Sequence, residues 1–157
     1  MKRNVHLHGL GSDHHHALVL SRRIQEAAAA GQLGAAHAAD VRRRYDEELG
    51  PHFAIEEEEL LPALGQAGRS DLVDRTLRDH RDLRGHIAAA EAGDVARLGA
   101  FARQLEAHVR FEERELFTAC ETLLPAGVLK RVALRAPKGK KPGYGGPPAG
   151  RGLQSAA

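Results

Sequence analysis

The chain has 157 residues, 42% of them hydrophobic and 4% aromatic, with no tryptophan. That composition suits one domain of close-packed helices better than a sheet sandwich. A net charge of +2 is too balanced to argue for nucleic acid, the single cysteine (Cys120) excludes an intrachain disulfide, and no apolar run reaches the roughly 18 residues of a membrane span.

Residues 1–11 read as an N-terminal extension; Lys2 and Arg3 stand there without the apolar stretch of a secretory leader, so the expected compartment is the cytoplasm. A first helix is expected after Ser12-Asp13, good N-cap residues, with Gly31 as its stop. A second spans about Ala35 to Leu64, where Pro51 should kink or divide it, and Gly65 and Gly68 end it. The third starts at Ser70 or Asp71 and ends near Gly93; the fourth runs from Asp94 to near Leu124, ahead of Pro125. The basic segment from Gly127 to Arg135 has room for one or two further turns. From Pro137 on, the chain is rich in Gly, Pro and Lys; it cannot bury a core and is expected to be a disordered, solubilising tail. Four helices joined by short loops predict an all-α, antiparallel up-down-up-down four-helix bundle over residues 12–136.

Ten histidines are the unusual feature of the composition. At about 100° per residue, the apolar stripe of the second helix holds Val41, Tyr45, Leu49, Phe53, Leu60 and Leu64, and His52 and Glu56 fall in its middle, one turn apart. In the third helix His80 sits at the centre of a stripe of Leu72, Val73, Thr76, Leu77, Leu83 and Ile87. In the fourth, His108 and Glu112 lie with Leu98, Phe101, Leu105, Leu116 and Ala119, while Glu113 is turned about 100° away. The first helix is less clear: His14 precedes Ala17, Leu20, Ser21 and Ile24 at inward spacings and is chosen, with His15 in reserve. Glu57 and Glu58 read as solvated members of the run Glu56 to Glu59. His6, His8, His37 and His86 sit off the stripes, and Cys120 reads as an inert helical residue.

Six inward imidazoles and carboxylates in one core are strongly destabilising unless something compensates them. A metal ion does so directly: imidazole suits iron, zinc, copper and nickel, and carboxylates bridge two hard ions. A hydrogen-bonded His–Glu network without metal is the structural alternative.

The segments Asp13-His14-His15-His16, His52-Phe53-Ala54-Ile55-Glu56 with the following Glu-rich run to Pro62, Asp79-His80 with Leu83, and His108-Val109-Arg110-Phe111-Glu112 resemble the hemerythrin/HHE cation-binding family over about residues 12 to 124. The resemblance implies a four-helix bundle with a non-haem di-iron centre held by His14, His52, Glu56, His80, His108 and Glu112, the two carboxylates bridging. Two departures stand out. Oxygen-carrying members have a second histidine four residues along the third helix, where this chain has Arg84; their last carboxylate follows its histidine by five residues, where Glu112 follows His108 by four. The chain is therefore more similar to bacterial HHE proteins, iron–sulfur repair proteins and the iron-sensing F-box protein. One ligand fewer leaves an open position, which favours sensing or reactivity toward O2, NO, peroxide or iron. An enzyme that disproportionates peroxide or handles nitric oxide is a further expectation, with Tyr45 and Thr76 as candidate proton or hydrogen-bond donors.

Overall fold

The computed structural model describes residues 2–136; the segment expected to be a disordered tail lies outside the described residues. Those residues form five helices and no strand. A 3-10 turn, Val5–Leu7, leads into α1 (His8–Ala29), followed by α2 (35–66), α3 (Ser70–Glu91), α4 (97–123) and α5 (Ala126–Arg135). None is long and apolar enough to cross a membrane. Helix α1 packs chiefly against α4, α4 against α3, and α3 against α2.

The first helix begins well before the Ser12-Asp13 pair expected to cap it. The side chain of Asn4 accepts from the His6 backbone N–H and caps the leading 3-10 turn. Leu7 and Leu10 are then fully buried, so the end of the predicted extension next to α1 contributes to the core. Burial of two leucines, worth about 1.5–3 kcal/mol each, outweighs a local capping preference of about 1 kcal/mol. The fourth helix, conversely, starts at Arg97 rather than Asp94, after a turn.

Three loops close the same way. Gly31, Gly68 and Gly93 have positive φ, and the N–H after each reaches back to Ala27, Leu64 and Ala89 respectively, satisfying carbonyls at the helix ends. Pro51 does not divide α2. A π-turn, Tyr45–Leu49, precedes it, and a second, Glu56–Leu60, precedes Pro62. The wider turn spaces the proline ring from the carbonyl four residues back, so the helix continues through both. The terminal basic segment is a full helix of ten residues rather than one or two turns. It buries Val128, Leu129 and Val132 and packs on the first 3-10 turn and on the π-turn Glu56–Leu60. Arg131 and Arg135 pair with Glu59 and Glu58 across that contact.

The apolar core is in two parts. One gathers Leu7, Leu10, Leu60, Leu64, Leu72, Leu116, Phe117 and the α5 residues; the other gathers Ala17, Leu20, Phe53, Leu83, Ile87, Phe101 and Leu105. In each of the first four helices the change from one part to the other falls at His14, at His52 to Glu56, at His80, or at His108 to Glu112. A polar layer separates two apolar ones.

A Cβ at Gly9 would collide with the Ala136 carbonyl oxygen, whereas at Gly85, on the exposed side of α3, it would meet nothing. Gly9→Ala is therefore expected to destabilise by about 1–3 kcal/mol through overpacking. Gly85→Ala should stabilise by about 0.5–1 kcal/mol through helix propensity. Urea unfolding of the two variants measures both.

Candidate metal centre

Helices α1 to α4 each deliver an imidazole to the polar layer, and α2 and α4 each add a carboxylate. His14, His52, Glu56, His80, His108 and Glu112 are all at most 4% exposed. Of the two first-helix candidates, His14 is buried in this layer and His15 is exposed. The carboxylates stand between the rings. Glu56 Oε1 lies 3.2 Å from His52 Nε2 and 3.5 Å from His80 Nε2. Glu112 Oε1 lies 2.7 Å from His108 Nε2, 3.5 Å from His14 Nε2 and 3.8 Å from His52 Nε2. Ligand-capable atoms fall into two groups, each within 4.8 Å: Glu56, His80, His108 and Glu112, and His14, His52 and Glu112. Glu112 belongs to both.

None of these contacts is aligned as a hydrogen bond. The four Nε2 atoms and all four oxygens of Glu56 and Glu112 are buried without a hydrogen-bond partner. Eight such atoms facing one point are costly in a protein core, each lost partner typically costing about 1–3 kcal/mol. This donor set of neutral imidazoles and carboxylates fits a pair of divalent or trivalent cations.

The opposite edge of every ring is satisfied. Nδ1–H of His52 donates to Asp13 at 3.0 Å, that of His80 to Glu57 at 2.9 Å, that of His108 to Asp79 at 3.1 Å, and that of His14 to Glu113 at 2.7 Å. The scheme is a closed circuit: α1 backs the histidine of α2, α2 that of α3, α3 that of α4, and α4 that of α1. Each bond fixes the tautomer and turns Nε2 inward. Phe53 stacks on His80 at 3.8 Å between centroids, and Phe117 lies parallel to His14 at 5.1 Å, limiting ring rotation.

Glu57 is thus not the solvated residue that the Glu-rich run suggests; it is half-buried, bound to His80 and to Arg84. Asp13, Asp79 and Glu113 were equally unassigned by position on the stripes. The signal lies in sequence doublets. Asp13-His14 is repeated by Asp79-His80, and His52-x-x-x-Glu56-Glu57 by His108-x-x-x-Glu112-Glu113. In each helical pair the residue adjacent to a ligand candidate serves the next helix. Two π-turns begin at Glu56 and at Glu112. Leu61 N–H bonds Glu56 O, and Phe117 N–H bonds Glu112 O, five residues back in each case. The added residue per turn lets the first glutamate face the centre while its neighbour reaches sideways.

Other expected inward groups are turned elsewhere. Thr76 is buried, but its hydroxyl donates to the Leu72 carbonyl at 2.8 Å. The Tyr45 hydroxyl accepts from Arg84 Nε at 2.7 Å. Leu77, one residue beyond the stripe, is exposed. Cys120 is buried, and burial pushes its thiol up to about 12, in keeping with an inert residue.

Without a cation the layer is electrostatically uneven. Burial lowers His14 and His108, against the opposing bonds to Glu113 and Asp79. Burial also disfavours charge on His52, but the Glu56 and Asp13 carboxylates outweigh it and raise this imidazole to about 10. Glu56 is correspondingly held well below the usual carboxylate range: burial works against it, and His52 and His80 prevail.

A family model, the hemerythrin HHE cation binding domain, matches residues 5–120. Fold and site define a helical domain built around a buried cation-binding His/Glu cluster. The chain belongs to the hemerythrin HHE cation-binding family. No curated protein and no solved structure matches it.

The metal-free protein should be most stable near pH 6.5. Below that value the unfolded chain protonates His14 and His108 more readily than the fold does, so stability falls with pH. Above it, the contribution of His52, complete below 6.5, is lost progressively as pH rises towards about 10. Urea midpoints on either side of neutrality, measured in the presence of a chelator, check both limbs.

Proposed function

We infer that this chain holds a non-haem di-iron centre and uses it to bind or sense a small ligand: O2, NO, peroxide or iron itself. The observation that carries the reading is the set of eight buried ligand atoms, four Nε2 and four carboxylate oxygens, that lack any hydrogen-bond partner. His80, His108, Glu56 and Glu112 would hold one ion, His14, His52 and Glu112 the other, with Glu56, 3.2 Å from His52, reaching both. In this reading helices α1 to α4 run up-down-up-down around the pair. An iron pair, when bound, supplies reversible coordination of small oxidants and one- or two-electron chemistry.

The residues divide the work unevenly. His14 and His52 share a tight group with Glu112 alone, whereas His80 and His108 share one with both glutamates. A narrow space walled by Ala17, Leu49, Phe53, Leu105 and Val109 adjoins His14, His52, His108 and Glu112. It has no room for a water-sized sphere as it stands, so a ligand arrives only with side-chain movement and only if small. Its apolar walls exclude bulk water from these side chains. Arg84, which stands four residues after His80 where oxygen carriers have a further histidine, does not enter the layer: its guanidinium bonds to Glu57 and Tyr45. Binding or sensing is favoured over turnover because Tyr45 and Thr76, the hydroxyls a proton-donating role would use, are bonded to Arg84 and Leu72. The compartment we propose is the cytoplasm, in keeping with a single cysteine.

Iron analysis of the isolated protein tests this. Two irons per chain are expected, with near-ultraviolet absorption that changes on adding azide, peroxide or NO. Glu56→Ala or Glu112→Ala should remove at least one iron, while Glu58→Ala, at an exposed residue paired with Arg135, should remove none. Iron should also raise the melting temperature, since it binds only the folded site. Iron-free protein from both aerobic and anaerobic growth, with no uptake on reconstitution, would rule the reading out.

A further inference from the structure

The carboxylates behind the histidines are themselves held from outside. Glu57 Oε1 accepts from His80 Nδ1 at 2.9 Å and from Arg84 Nη2 at 3.1 Å. The other edge of that guanidinium is fixed too, Nε donating to the Tyr45 hydroxyl at 2.7 Å. The counterpart in the second helical pair is Glu113. Its Oε1 accepts from His14 Nδ1 at 2.7 Å, and its Oε2 accepts from Arg3 Nη2 at 3.2 Å. The same Nη2 donates to the Glu113 backbone oxygen at 2.5 Å, and Nη1 donates to Glu121 at 2.7 Å. That backbone oxygen is available because, in the π-turn, Phe117 N–H bonds Glu112 O instead. Arg3 is anchored in turn: His8 Nε2–H donates to its carbonyl at 3.1 Å, and Asn4 N–H donates to Glu121 at 3.1 Å.

We propose that Arg84 and Arg3 are positioning residues of the metal centre, acting through Glu57 and Glu113 to aim Nε2 of His80 and His14 at the cations. This rests on the metal-pair reading above. A glutamate held by a ring alone swings about its side-chain torsions and carries the ring with it. A fork that grips the carboxylate, and is itself gripped by a tyrosine or by a second glutamate and a backbone oxygen, removes that freedom. An ordinary exposed ion pair contributes little because both partners stay mobile. Here one partner is locked on a buried imidazole. The sequence from residue 3 to residue 8 is then part of the centre, not an appendage to it.

The two arginines act on different histidines, which gives a test with a local signature. In metal-free protein, the solvent-exchange rates of the four ring Nδ1–H protons are measured by 15N-edited NMR. Arg84→Ala should speed exchange at His80 alone, and Arg3→Ala at His14 alone; Arg84→Lys should restore part of the protection. In the second arm, Co(II) is titrated into the full chain. Each alanine variant should weaken one of the two equivalents about tenfold, the lower end of what loss of an outer-shell partner costs. Arg110→Ala, which loses only an exposed pair with Glu106, should change neither readout. Unaltered exchange at His80 and His14, or equal acceleration at all four rings, would overturn the proposal. A wild-type protein that took up no Co(II) would overturn the metal reading, and the exchange data would still decide what the arginines do.

Discussion

Everything in this fold is arranged around four hydrogen bonds, each from a histidine Nδ1–H to a carboxylate on the neighbouring helix. From donor to acceptor they run in one direction round the bundle, from α4 to α3 to α2 to α1 and back to α4. A bundle core of leucine and phenylalanine tolerates small rotations of its helices, because apolar contact is not directional. This circuit does not. Turning any one helix breaks a bond on both sides, so the helices hold one another in register, and the register keeps four Nε2 atoms inward. The layer cuts the apolar core in two at the same level in all four helices. Such a layer is tolerable only if its inner face is also satisfied, and that requirement points to cations.

Backbone irregularity serves the same end. Three π-turns interrupt the long helices, and two of them begin at the inward glutamates. The extra residue lets two consecutive glutamates do different work, one at the centre and one against a histidine of another helix. The prolines at 51 and 62 each follow a π-turn, where the missing N–H and the bulky ring cost least. Helix α5 lies beyond the span matched to the family and packs on the π-turn that carries Glu56 and Glu57. The support of the centre therefore reaches both ends of the described chain.

Much of the inner site was legible in the sequence. His52, Glu56, His80, His108 and Glu112 sit where apolar residues belong on an amphipathic helix, and an ionisable group there announces itself. His14 was harder, since three consecutive histidines leave the register open until the helix packs. The outer carboxylates were not legible by that rule. Asp13, Glu57, Asp79 and Glu113 lie at the flanks of the stripes, half-buried, where acidic residues are ordinarily solvated. Only the repetition of Asp-His and Glu-Glu pairs between the two halves hints at them. The early start of α1 was missed for a different reason. Ser12-Asp13 is a sound local cap, but Asp13 is occupied by His52, and burial of Leu7 and Leu10 extends the helix. The full extent of α5 rests on contacts distant in sequence, which no local pattern reports.

The functional reading therefore depends on one geometric statement: two cations side by side, with Glu56 and Glu112 between them. Anomalous diffraction at the iron edge from crystals of the iron-loaded protein tests it most directly. The account predicts two peaks, roughly 3.5–4 Å apart as in other two-metal sites, one beside His80 and His108 and the other beside His14 and His52. A single peak, or peaks away from these four rings, would contradict it.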